Sequence, residues 1–264
     1  MHFGLIIVGD EILSGKRQDK HLAKAIELLA ARGLALAWAR YVGDERERIA
    51  DTLREAFASG DTVFCCGGIG ATPDDHTRQA AALALGRPLV LHEGAKALIL
   101  ERMRDVALEQ GKPFEPERED NVHRLNMGVF PEDAALIPNP FNKIPGFSVD
   151  SVYFVPGFPV MAHPMIEWVL DQRLAHLHGG QRRAEHSVIV FGAMEATLTP
   201  LMEAVEAQWP GIKVFSLPSV DHPQWGRHIE LGVKGEPGRL DGAWRMLRDG
   251  LAAQGVACGP EMVR

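Results

Sequence analysis

Apolar runs of strand length alternate with periodic segments of helix length through the first ninety residues, and this leaves few folds open. Phe3 to Val8 and Thr62 to Cys66 are strand-length runs without a charge. Segment 34–41 reads as a further strand between them. Segments 20–32, 44–59 and 77–85 read as helices. The first carries Leu22, Ile26 and Leu29 on one stripe and stops at Gly33. The second carries Ile49, Leu53 and Phe57 at fourfold spacing, and the third ends at Gly86-Arg87-Pro88. The order β-α-β-α-β-α predicts right-handed crossovers and an α/β fold with a mostly parallel sheet. Strands lacking charge need cover on both faces, so helices are expected above and below.

Further on, 92–111 and 121–127 read as helices, 134–138 and 151–155 as strands, and 160–176 as a helix. Residues 139–147 read as a loop. The polar, glycine-bearing stretch His178 to Arg183 is the best boundary in the chain. It divides the sequence into a domain at 1–177, a linker at 178–183 and a small α+β domain at 184–264. In that last part, 186–191, 212–217 and 228–233 read as strands and 197–208 and 240–253 as helices. Trp209, Trp225 and Trp244 are expected to build its core or a contact with a neighbour.

Composition narrows the function classes. The formal charge of the 264-residue chain is −7, and no basic stripe favours nucleic acid. No apolar run approaches membrane-spanning length, and the N-terminus lacks the pattern of a signal peptide, so a cytoplasmic protein is expected. Three cysteines occur, two of them adjacent at Cys65-Cys66 within a strand, which suits a reduced interior.

Chemistry concentrates in loops that follow strands. Gly67-Gly68-Ile69-Gly70-Ala71-Thr72-Pro73-Asp74-Asp75-His76-Thr77 runs from a strand through a glycine turn and an acidic pair into a helix. Free N–H groups there can hold an anion, and Asp74 or Asp75 a cation beside it. Gly9-Asp10-Glu11, 139–147 and Pro156-Gly157-Phe158-Pro159 are expected to converge on the same crevice, beyond the carboxyl ends of the strands. Such a site fits a phosphorylated ligand, with a divalent cation between phosphate and carboxylate as an option. Each residue also has a plain structural role open to it. Asp10 and Glu11 suit a helix entry, one of Asp74 and Asp75 a helix cap, and Thr72 a turn cap. His76 suits a solvated helix start. Lys16 and Arg17 are candidate phosphate partners or ordinary surface charges, and Asn139, Asn142 and Lys143 can serve a ligand or their own loop.

Three stretches, Gly9 to Gly15, Gly67 to Thr77 and Pro156 to Pro159, together resemble the molybdopterin-binding domain of molybdenum-cofactor biosynthesis proteins. Val42-Gly43-Asp44, Asn139-Pro140 and Pro145-Gly146-Phe147 extend the likeness, which is closer to the N-terminal part of competence/damage-inducible protein A. The resemblance covers about the first 170 residues. It implies a three-layer α/β/α domain whose pocket takes molybdopterin or a related phosphorylated pterin or nucleotide, and a homo-oligomer. It maps an acidic motif onto Glu11, Asp74 and Asp75, with Asp74 and Asp75 toward a metal. It maps ligand contacts onto Gly9, Asp10, Gly67, Gly68, Gly70, Thr72, Asn139, Pro145, Gly146 and Gly157. Some members of the damage-inducible group hydrolyse ADP-ribose with a divalent cation such as magnesium or cobalt. That makes a metal-dependent pyrophosphatase the alternative reading, and a non-catalytic scaffold the second. The chain departs from the group at Ala71, Asn142, Lys143 and Met161. Asn142 and Lys143 are expected to fill space and add charge beside the pocket, and Met161 stands where a glutamate is expected.

Overall fold

A computed structural model describes residues 2–179 and 184–264. The chain divides into two compact units, Met1–His178 and Gly179–Arg264. Most of the linker expected at 178–183 lies outside the described residues.

The first unit opens with β1 (Phe3–Val8), a four-residue turn of helix α1 (Asp10–Leu13) and α2 (His21–Ala30). Then come β2 (Leu36–Val42), α3 (Arg46–Ser59), β3 (Thr62–Cys66) and α4 (Thr77–Leu85). The short β4 (Leu89–Leu91), the long α5 (Glu93–Glu109) and α6 (Glu119–Arg124) follow. The unit is completed by β5 (Val129–Pro131), β6 (Ala135–Ile137), β7 (Gly146–Val149), β8 (Val152–Val155) and α7 (Pro159–Gln172). Its main sheet has the order β2-β1-β3-β8-β7-β6. The four strands from β2 to β8 are parallel, and β7 and β6 close that edge antiparallel.

Alternation along the strands builds two cores. Ile6, Val63, Cys65, Phe147 and Phe154 face one side with Ile49 and Leu53 of α3 and Ala80 and Ala81 of α4. Leu5, Ile7, Phe64, Cys66 and Val155 face the other with Leu28 and Leu29 of α2 and Ile166, Val169 and Leu170 of α7. The three layers expected are therefore the three layers found. Phe130, Phe147 and Phe154 stack in a column with centroids 4.6 and 4.3 Å apart, each ring contributing about 1.5–3 kcal/mol of burial. Cys65 and Cys66 are buried thiols, and loss of hydration pushes both pKa values up. Arg32, just past the end of α2, grips Asp171 of α7 with two hydrogen bonds of 2.6 and 2.7 Å.

The structure departs from the sequence reading in this unit. Residues 139–147 are not wholly loop, because β7 begins at Gly146 and pairs with both β6 and β8. The pairing of β4 with β5 was not foreseen; both strands have only three residues, too few to show a period. The segment Gly9-Asp10-Glu11 takes the helix-entry role open to it, with α1 starting at Asp10.

The second unit is an antiparallel sheet in the order β10-β11-β9-β12, with β9 at Ala184–Phe191, β10 at Lys213–His222, β11 at Gly226–Gly235 and β12 at Ala257–Val263. Its helices, α8 (Glu195–Gln208) and α9 (Pro237–Ala253), pack Leu198, Val205, Leu240 and Leu247 against Val188, Val190, Leu231 and Val233. Trp209 and Trp244 border this core as expected, whereas Trp225 stacks on His222 at the β10–β11 turn. The last strand, β12, is absent from the sequence reading: Gly259-Pro260 interrupts it at a register shift. No helix among the described residues is long and apolar enough to cross a membrane.

Candidate functional site

Between β1 and β3 the chain leaves the sheet on opposite faces: β1 feeds α2, and β3 feeds α4 in the other layer. Side chains and loops diverge at such a point, and a crevice opens beyond the strand ends. Here it has a volume of about 390 Å³. Gly9 and Glu11 after β1, Asp44 after β2, the loop from Gly67 to Asp75 after β3, and Pro156 to Phe158 after β8 all border it. Asn139, Asn142, Ile144 and Pro145 complete the wall.

The glycine loop owes its shape to two left-handed residues. Gly67 has φ 106° and Gly68 has φ 69°. A Cβ on Gly67 would overlap the Val8 carbonyl, and one on Gly68 the Thr77 hydroxyl, so only glycine fits either place. The Gly67 N–H donates to Val155 (3.0 Å) and the Thr77 N–H to the Gly68 carbonyl (2.9 Å), which anchors the loop to β8 and α4. The four N–H groups between, of Gly68, Ile69, Gly70 and Ala71, have no acceptor among the described residues. The run ends where the Thr72 N–H donates to Asp75 Oδ2 (2.9 Å), joined there by the Thr72 hydroxyl.

Arg78, only 4% exposed, fastens this loop from behind. Its Nη2 donates to the Gly70 carbonyl at 2.6 Å, and its Nη1 to the carbonyls of Asn126 and Val129. Sequence reasoning missed it. The available signal was a charged residue at the second position of an otherwise alanine- and leucine-rich helix.

The acidic residues separate into roles. Asp10 does not line the crevice. It forms a clasp with Asp44: the Asp10 N–H donates to Asp44 Oδ2 (2.9 Å) and the Asp44 N–H to Asp10 Oδ1 (3.3 Å). Gly43 permits that approach, since a Cβ there would lie 2.5 Å from Asp10 Oδ1. Asp44 itself borders the crevice. Lost hydration holds its carboxyl above the usual range, the Asp10 N–H opposes that shift, and the charges of Asp10, Glu11 and Asp74 add to it. Glu11, Asp74 and Asp75 all border the crevice. Yet no group of three or more His, Cys, Asp or Glu side chains among the described residues is placed to hold a metal ion.

The 139–145 loop is closed on itself. Asn139 Oδ1 accepts from the Phe141 N–H (3.0 Å), and its Nδ2 donates to the Ile144 carbonyl (3.0 Å) and Asn142 Oδ1 (2.8 Å). Asn142 Oδ1 also accepts from the Ile144 N–H at 3.0 Å. Asn142 borders the crevice beside Met161, and the crevice stays open. The expectation for Lys143 is corrected: its ammonium turns to Glu101 (2.6 Å) and Asp105 (2.7 Å) of α5, which neutralise it away from the crevice wall. Gly146 is likewise not on the wall. It belongs to the sheet, where a Cβ would overlap the Phe154 carbonyl.

At the rim, Arg17 lies 6.0 Å from the centroid of the Phe158 ring, which is 54% exposed. Lys16 does not border the crevice. Beneath Gly157, the buried His21 has its Nε2 3.0 Å from the Gly157 carbonyl and meets His163 edge to face. Burial holds His163 below the usual imidazole value.

Residues 4–176 match the family model described as the probable molybdopterin binding domain. A CinA-like protein of Syntrophotalea carbinolica is 30% identical over 220 residues, which cover 78% of this chain and 50% of that protein. A protein of Pyrobaculum calidifontis is 31% identical over 232 residues, 85% of each chain. The crystal structure of the protein CinA, of unknown function, from Thermoplasma acidophilum superposes with a TM-score of 0.55 at 26% identity. It covers 65% of this chain and 98% of that one. The chain spans about half the length of the CinA-like relatives from Syntrophotalea and Geobacter.

Proposed function

The chain belongs to the probable molybdopterin binding domain family, and on that premise we propose that its crevice binds a small phosphorylated pterin or nucleotide, molybdopterin among them. The observation that carries this reading is the run of four unpartnered N–H groups from Gly68 to Ala71 on the wall of a crevice of about 390 Å³. Backbone donors left without an internal acceptor suit a phosphate, which can accept from several at once. Arg17 at the rim adds a guanidinium for the same anion.

The remainder of the wall fits a flat heterocycle. Ile69, Met127, Phe158 and Met161 offer apolar and aromatic surface, while Glu11 and Asp44 offer acceptors for ring N–H groups. Asp75 is engaged with Thr72, and no three carboxylates among the described residues are placed to hold a cation, which favours binding over cation-assisted hydrolysis. A homo-oligomer, implied by the family, is part of the proposal and is checked by light scattering.

Calorimetric titration with molybdopterin, AMP and ADP-ribose tests the site. One of them should saturate a single class of site, and Gly70→Trp should abolish that binding by filling the crevice. Saturable binding unchanged in the folded variant would place the ligand elsewhere. Release of AMP from ADP-ribose with magnesium, manganese or cobalt would replace binding by hydrolysis as the function.

A further inference from the structure

A second recess lies behind the glycine loop and shares Ala71, Thr72 and Asp75 with the crevice. Its volume is about 340 Å³, and Arg46, His76, Arg78 and Gln79 border it. Its charge pattern is unusual. Arg78 is a buried cation whose hydrogen bonds all go to neutral carbonyls, and it makes no ion pair among the described residues. Among the described residues its Nε has no acceptor and its neighbour His76 has no partner for Nδ1; both atoms are buried. Burial pushes the Arg78 guanidinium down, with the charge of Asp75 opposing. Arg46, exposed at the first position of α3, is also unpaired among the described residues.

A buried charge without a counter-ion is costly, and so is a buried polar atom without a partner. Here both occur in the lining of one cavity, with a second arginine at its rim. The Asp75 carboxylate also borders the recess, but it accepts from the Thr72 N–H and hydroxyl and makes no ion pair with Arg78 or Arg46 among the described residues. We propose that this recess is a second anion site, holding a phosphate or carboxylate group of a small molecule between Arg46, His76 and Arg78. The site is coupled to the crevice through one bond: Arg78, which borders the recess, also holds the Gly70 carbonyl of the glycine loop. Either a further acidic group of the crevice ligand or a separate small anion supplies the charge.

Calorimetric titration with inorganic pyrophosphate at low salt separates these cases, using wild type, Arg46→Glu and Arg17→Glu. Both substituted side chains are exposed, and thermal melts confirm that each variant is folded. Two binding events are expected, one weakened about tenfold or more by Arg46→Glu and the other by Arg17→Glu. That result assigns the recess to a separate anion. A single event at a stoichiometry of one, weakened by both variants, also supports the site and assigns it to one ligand reaching across Thr72. Isotherms that Arg46→Glu leaves unchanged overturn the proposal. If the sole event is lost in Arg17→Glu only, the crevice reading stands while the recess falls. Loss in Arg46→Glu only does the reverse, and absence of any binding removes both.

Discussion

Two loops that wall the crevice treat their polar groups in opposite ways. In the 67–75 loop, four consecutive backbone donors have no partner among the described residues. In the 139–145 loop, Asn139 and Asn142 supply an acceptor or donor to almost every turn of the backbone, and Asn139 is 4% exposed. The second loop meets many of its polar groups from within. The first holds its shape through glycine conformations and through anchors to β8, α4 and Arg78, which leaves its donors for something else. A loop that satisfies itself is a wall; a loop held open by its surroundings keeps donors that a ligand can use, as the proposed function requires.

The sharpest way to break this contrast is to substitute one residue in each loop. Asn139→Ala leaves the Phe141 N–H and the Ile144 carbonyl without their partner, so it should lower stability by about 2–3 kcal/mol in urea unfolding. Gly70→Ala should do the opposite. Its backbone is not left-handed, and alanine restricts the unfolded chain, so stability should change by less than about 1 kcal/mol. The new Cβ would nevertheless lie 2.5 Å from Asp75 Oδ2 and displace the turn, and ligand affinity should fall about tenfold. If the two variants exchange these effects, this division between the loops is wrong.

Asp44 offers a smaller test through pH. Its folded pKa is raised above the ordinary 3.8, so the native state binds that proton more readily than the unfolded chain and is penalised once the carboxyl ionises. Asp44→Asn should therefore stabilise the protein at neutral pH, by less than about 1 kcal/mol after solvent screening. The gain should shrink as pH falls through the folded value and vanish below 3.8. Carbon-detected NMR titration of the carboxyl adds a sign: an anion in the crevice should raise its pKa further, whereas a bound cation would lower it. A downward shift on adding phosphate would contradict the anion site.

Lys143→Ala should have the least effect. With the ammonium paired to Glu101 and Asp105, affinity for any crevice ligand should stay within about twofold. A larger loss in the same titration would bring the 139–145 loop into the binding surface after all.

The site was legible in part. The glycine loop, Glu11, Thr72, Asp74, Asp75, Asn139, Pro145 and Gly157 all border the crevice, because each sits in a loop that a strand delivers to the same sheet edge. Asp10 and Gly146 do not, although their neighbours in sequence do: Asp10 is held to the 43–44 loop, and Gly146 lies within the sheet. Arg17 reads from sequence as a phosphate partner or a surface charge, and the structure sets it at the crevice rim beside the Phe158 ring. Arg78 stood out only as a charge in an alanine- and leucine-rich helix, because nothing in a single sequence says that the carbonyl it needs lies eight residues back across a turn.

The sequence by itself determined the layering. Uncharged strands require cover on both faces, and the helical stripes at 22–29 and 49–57 supply it, so the three layers follow from local periodicity and burial. Tertiary structure decided which polar groups were spent and which were left over. The free donors of Gly68 to Ala71, the clasp of Asp10 with Asp44 and the uncompensated Arg78 all depend on atoms far apart in the chain. Hydrogen-bond accounting closes only when those partners are brought within reach, and what remains unpaired there is what a ligand can meet.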